Sequence, residues 1–152
     1  MAAATPTEPQ TIVLIHGMWM TPLSWEHWAV RSRAQGHEVI APAWLGLSDY
    51  PAEVRRNPSP LHGLSIPDVI DEYERIIRGL DRPPIIIGHS FGGLFTLMLL
   101  DRGLGSIGVA MEPAAPKGVL NLPPQQLKAA SPAIAHPSKR KGVVTLTLDQ
   151  FK

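Results

Sequence analysis

The sequence predicts an α/β protein whose parallel sheet carries helices on both faces. Three observations predict it. Short apolar runs at Thr11–Ile15, Val39–Ala41, Ile85–Ile87 and Ile107–Met111 alternate with longer segments of helical period, the rhythm of βαβ units. Within the runs the apolar residues are nearly continuous, as in strands covered on both faces. A glycine-rich segment, Gly88-His89-Ser90-Phe91-Gly92, stands between one such run and the helical pattern Gly93–Arg102, so a strand turns straight into a helix there.

Taken in order, the first strand, Thr11–Ile15, runs into His16-Gly17-Met18-Trp19. A helix over Pro22–Gln35 follows, with Thr21 as N-cap and proline in its first turn. Trp25, Trp28 and Ala29 form its apolar stripe, and Gly36 closes it. After the strand Val39–Ala41, the proline- and glycine-rich stretch Pro42 to Leu64 reads as one long loop. Ser65 and Asp68 have the spacing of a capping box. They open a helix over Pro67–Leu80 whose stripe is Val69, Ile70, Tyr73, Ile76, Ile77 and Leu80. Ile85–Ile87 leads into the glycine-rich turn, and Ile107–Met111 follows the next helix.

The pattern G-x-S-x-G singles out Ser90. In a nucleophile elbow the serine occupies a strained backbone conformation, and the flanking strand and helix nearly touch. Glycine suits positions 88 and 92 because a side chain there meets that packing. With Ile12–Ile15 feeding His16-Gly17-Met18, the chain resembles the α/β-hydrolase fold family, closest to its cap-bearing esterases and lipases. The resemblance covers Thr11 to Met111 well and the remainder weakly. It implies that the backbone amides of Met18 and Phe91 form an oxyanion hole. It also implies a serine-dependent hydrolase acting on carboxylic esters, with no cofactor. Trp19 and Met18 lie on the same loop and can line the acyl pocket. The same motifs also suit perhydrolase or lyase activity, or a truncated non-catalytic module.

In this family the triad acid and histidine follow the serine. After Ser90 the acids are Asp101, Glu112 and Asp149, and the one histidine is His136. Asp101 reads as a helix-surface residue. Glu112, just beyond a strand end, is the candidate acid and His136 the candidate base. His89 is expected to pack under the turn, and His16 to brace the oxyanion loop by a hydrogen bond. His27, His37 and His62 lack metal-ligand spacing, so no metal site is expected.

Composition sets the limits. The 152 residues allow one domain with a core, and a net charge of +1 offers no footprint for nucleic acid. No cysteine is present, which excludes disulfides and thiol catalysis. No apolar stretch spans a bilayer, and Met1–Gln10 lacks the pattern of a signal peptide, so a cytoplasmic location is expected. Residues 1–10 read as a flexible tail, 11–112 as the amino-terminal part of a hydrolase core, and 113–152 as a lid segment. Six prolines between Pro113 and Pro137 break the βα rhythm of that last segment. Thr147 and Gln150 resemble a helix start two residues from the end of the chain. The expectation is therefore a truncated lid, and a free sheet edge suited to self-association.

Overall fold

Helices and strands alternate along the chain from Thr11 to Met111. The computed structural model describes residues 8–119 and 143–144. The expectations for residues 1–7, for His136 and for the helix start at Thr147 lie outside the described residues. Four strands, β1 (Thr11–Ile15), β2 (Glu38–Ile40), β3 (Ile85–His89) and β4 (Ile107–Met111), form one sheet in the order β2-β1-β3-β4. Every pairing is parallel, with Ile12 opposite both Val39 and Ile85, and Ile87 opposite Val109. This is the expected architecture.

The sheet has two differently clothed faces. Helices α3 (Ile66–Arg78) and α4 (Phe91–Asp101) cover one, where Val13, Ile15 and Ile86 pack against Val69, Ile70, Tyr73, Ile77, Phe95 and Leu99. Helix α1 (Glu26–Ala34) covers the other on the β2–β1 side, where Ile12, Leu14 and Val39 meet Trp25 and Ala29. Strand alternation sends odd and even residues to opposite faces, so β1 contributes to both cores and is buried almost throughout. At β4 the cover gives out, leaving Ile107 and Val109 57% and 42% exposed.

Local chemistry explains the element ends. Ser65 and Asp68 form the expected capping box of α3, the serine hydroxyl accepting from Asp68 N and the carboxylate from Ser65 N. Gly36 ends α1 at φ 89, and its N–H donates to Arg33 O. The Tyr73 hydroxyl donates to Pro42 O at 2.8 Å, which ties α3 to the loop leaving β2.

Four expectations need correction. The segment expected as one helix over Pro22–Gln35 begins as a 3₁₀ turn, Pro22–Trp25, before α1. Thr21 does not cap it through its side chain; its carbonyl accepts from Ser24 N and Oγ instead. Trp28 is 48% exposed, so Trp25 and Ala29 alone carry the buried stripe. The stretch Pro42 to Leu64 is not all loop. Pro51, with φ preset for a first turn, opens the short helix α2 (Pro51–Arg56), and a 3₁₀ turn spans Ser59–Leu61. Smaller shifts occur at β2, which starts and ends one residue early, and at α4, which starts at Phe91 rather than Gly93.

The capping box supplies a direct test. Ser65→Ala removes the acceptor for an orphan N–H of α3 and is expected to cost about 1 kcal/mol. Urea unfolding of the two proteins measures it, and an unchanged midpoint would contradict the role given to the cap.

Candidate functional site

Ser90 sits at the carboxyl end of β3 with φ 56 and ψ −118, a left-handed conformation unusual for a residue with a side chain. Such a conformation costs about 1–3 kcal/mol and persists only where its surroundings fix it. Here they do. Ser90 N donates to Met111 O at 3.0 Å, and Ser90 O accepts from Leu94 N at 3.1 Å and Ala114 N at 2.9 Å. The serine is thus pinned to the end of β4, to the first turn of α4 and to the chain beyond β4.

Two glycines make that turn sterically feasible. A Cβ on Gly88 would overlap the Gly92 carbonyl and stand 2.5 Å from Thr96 Oγ1. A Cβ on Gly92 would overlap the Ile15 carbonyl and stand 2.9 Å from His16 O. The start of α4 therefore lies against the end of β1 with no room for a side chain. That approach brings together the two segments singled out in the sequence. A Cβ on Gly17 would stand 3.1 Å from Ser90 Cβ and 3.3 Å from His89 O.

The loop after β1 is held from inside. Gly17 O accepts from Met20 N at 3.3 Å and from His16 Nδ1 at 2.9 Å, so His16 braces the loop as expected. Among the described residues, no backbone acceptor is found for the N–H of Met18 or of Phe91, the first residue of α4. Burial pushes the His16 pKa below its ordinary value, against the opposing pull of the Gly17 hydrogen bond and of the Asp49 charge. Trp19, at φ 62, donates its indole N–H to Val144 O at 3.0 Å.

His89 does not pack under the turn. Gly88 faces α4, so alternation sends the next side chain to the opposite face of the sheet. The His89 side chain is 37% exposed, and its Nε2 lies 3.8 Å from Glu112 Oε2. Glu112 follows β4 directly, at φ 43, with an exposed side chain. Asp101 is exposed at the end of α4. His27 is exposed beside Glu26, and His37 Nδ1 accepts from Gln10 N at 3.2 Å. Among the described residues no three acidic or histidine side chains converge as metal ligands, and no helix is long and apolar enough to cross a membrane.

One participant was missed. Trp44, in the loop after β2, stacks on His16 with ring centroids 5.3 Å apart and planes 15° from parallel. It also meets Phe95 at 5.4 Å and Phe91 at 6.4 Å. Its position was the available signal: a tryptophan a few residues past the carboxyl end of a parallel strand lies where α/β sites form.

A parallel sheet, a left-handed serine between strand and helix, and a glycine loop against it define the α/β-hydrolase class. The chain belongs to the alpha/beta hydrolase family, which it matches over residues 12–150. Among solved structures it is similar to an extracellular α/β-hydrolase from a Paenibacillus species, described as sharing structural and functional homology with tobacco salicylic acid binding protein 2. Identity is 27%, with 91% of this chain and 56% of that one covered and a TM-score of 0.60. A monoacylglycerol lipase from Paleococcus ferrophilus matches at 23% identity, covering 85% and 48% with a TM-score of 0.58. Polyneuridine aldehyde esterase matches at 20% identity, covering 87% and 48% with a TM-score of 0.54. The chain spans about half the length of these structures. No curated protein matches it significantly.

The buried imidazole gives a pH prediction. A histidine kept neutral in the native state takes up a proton more readily once unfolded, so acid favours unfolding. Stability should fall as pH drops below the ordinary histidine value of 6.5, and His16→Asn should remove that part of the loss. Urea midpoints from about pH 7.5 to about pH 5 measure it. Identical pH slopes for both proteins would refute it.

Proposed function

We propose that this protein is a serine-dependent hydrolase of carboxylic esters, with Ser90 as nucleophile. The observation that carries the reading is the Ser90 turn itself. It is a left-handed serine at a strand-to-helix junction, pinned on three sides and lying against Gly17. Backbone strain of this kind at a cleft-forming sheet edge is the mark of a functional position.

In this reading the Ser90 hydroxyl attacks the ester carbonyl while a base takes its proton, and the carbonyl oxygen becomes an oxyanion. The Met18 and Phe91 N–H groups receive it. Phe91 opens α4, so its amide sits at the positive end of a helix dipole. Removing a single oxyanion donor costs roughly 2.7–4 kcal/mol in other hydrolases. Trp19 lines the acyl side, fixed by its bond to Val144 O. Glu112 is the candidate acid because it leaves β4 at the residue after Met111, whose carbonyl holds Ser90 N. His136 is the candidate base, as the one histidine after Ser90 in the sequence. Membership of a hydrolase family supports the reaction class. The backbone oxyanion donors and the aromatic surroundings support an uncharged acyl substrate.

Two experiments bear on this. A fluorophosphonate probe should label Ser90, and Ser90→Ala should remove labelling and lower turnover of a short chromogenic ester by about 10⁴-fold or more. Labelling at another serine, or undiminished turnover, would sink the assignment. A serine hydroxyl is a weak nucleophile without a base in reach, so in this reading the 152-residue chain owes its turnover to His136. Assaying the chain beside His136→Ala tests the base: robust turnover lost in the variant makes His136 the base, and equal turnover removes it from the site.

A further inference from the structure

His16 is buried at the end of β1 with one ring nitrogen engaged and the other not. A carbonyl oxygen only accepts, so the 2.9 Å contact to Gly17 O requires the proton on Nδ1. Nε2 is then a bare acceptor, and it is buried without a hydrogen-bond partner among the described residues. Leaving such a group unsatisfied costs about 1–3 kcal/mol. Among the described residues Nε2 lacks a partner in either tautomer, so the Nδ1 contact decides which one is held. Trp44 stacks on the ring, and its own Nε1 is likewise buried without a partner among the described residues.

The carbonyl that His16 holds belongs to the same peptide unit as the Met18 N–H. No cis bond occurs among the described residues, and in a planar trans peptide the C=O and N–H point in opposite directions. Fixing one fixes the other. With Gly17 O turned toward His16 Nδ1 and Met20 N, the Met18 N–H is turned away from both. A donor into the carbonyl also polarises the peptide and strengthens its N–H. Gly17 itself lies against Ser90, so the peptide being oriented borders the serine.

We propose that His16 is a positioning residue: its Nδ1–H sets the plane of the Gly17–Met18 peptide and so the direction of the Met18 N–H beside Ser90, while Trp44 holds the imidazole in place. Its catalytic meaning rests on Met18 being an oxyanion donor, as proposed above. The peptide geometry stands apart from turnover and can be measured without it. Burial, which keeps the ring neutral against the charge of Asp49, is consistent with a fixed tautomer.

The test uses the folded 152-residue chain labelled with ¹⁵N. Long-range ¹H–¹⁵N spectra should show His16 protonated at Nδ1; protonation at Nε2 overturns the proposal. Residual dipolar couplings then report the N–H directions. His16→Asn, whose amide nitrogen replaces Nδ1, should keep the Met18 coupling, whereas His16→Leu should change it and leave that of Phe91 unchanged. A Met18 coupling identical in all three proteins overturns the proposal. If His16→Leu does not fold, Trp44→Ala serves: it should mix the two tautomers of His16, and a pure Nδ1–H form there removes Trp44 from the device. Fluorophosphonate labelling of Ser90 should slow about tenfold to a hundredfold in His16→Leu, less than the loss of a whole donor, and recover in His16→Asn. No labelling of the wild-type chain would count against the serine reading alone, with the couplings still deciding the role of His16.

Discussion

The close approach of α4 to the end of β1 governs the rest of the molecule. Gly92 lies where any Cβ would strike the Ile15 carbonyl, and Gly88 where one would strike Gly92. Because β1 and the first turn of α4 touch backbone to backbone, the helix can start immediately after β3. Ser90 is left no choice but a left-handed conformation at the junction. The same contact brings Gly17 to Ser90 and places the first amide of α4 beside the loop after β1. Add a methyl group at position 92 and strand, serine and loop must all move.

Around that contact the structure is tied down by hydrogen bonds that cross between elements. Ser90 is bound to Met111 and Ala114, so β4 and the residues just beyond it set the serine as firmly as its own strand does. Tyr73 on α3 holds the Pro42 carbonyl, two residues before Trp44, which in turn covers His16. A packed line thus runs from the middle of α3 to the loop that borders Ser90. Burial of Tyr73 pushes its hydroxyl pKa far up, so that end of the line stays protonated at any physiological pH.

Much of this was legible in the residues. The strands Thr11–Ile15 and Ile107–Met111 stand at their expected bounds because each run is nearly continuously apolar, although only the first is largely buried. Ser65 and Asp68 cap α3 because a capping box is a local device that needs no tertiary context. Misreadings cluster where tertiary context decides. Trp28 has the right helical phase for burial but is half exposed, on the helix beside β2, which is the edge strand among the described residues. His89 follows from which face Gly88 occupies, a fact settled by packing rather than by spacing. Pro51 reads equally as a loop residue or a helix start until its neighbours are placed. Trp44 stands at a telling position after β2, but its stacking on His16, from a distant stretch of chain, leaves no local pattern. The roles of Ser90, Met18, Phe91, Glu112 and His136 belong to chemistry, which neither periodicity nor backbone geometry measures.

The strand order carries a consequence for how the chain reaches this state. β1 is the most buried strand, and Ile12 can pair on one side with Val39 soon after it is made. Its other neighbour arrives only at Ile85, after two helices and a long connection. Closing that long loop before the pairing rewards it is slow, as in parallel sheets generally. Until β3 arrives, Val13 and Ile15 must wait with one flank open. On a ribosome, which delivers the amino end first, this interval belongs to every copy made. The apolar run that ends as the best-protected part of the protein is therefore, for a time, among its stickiest.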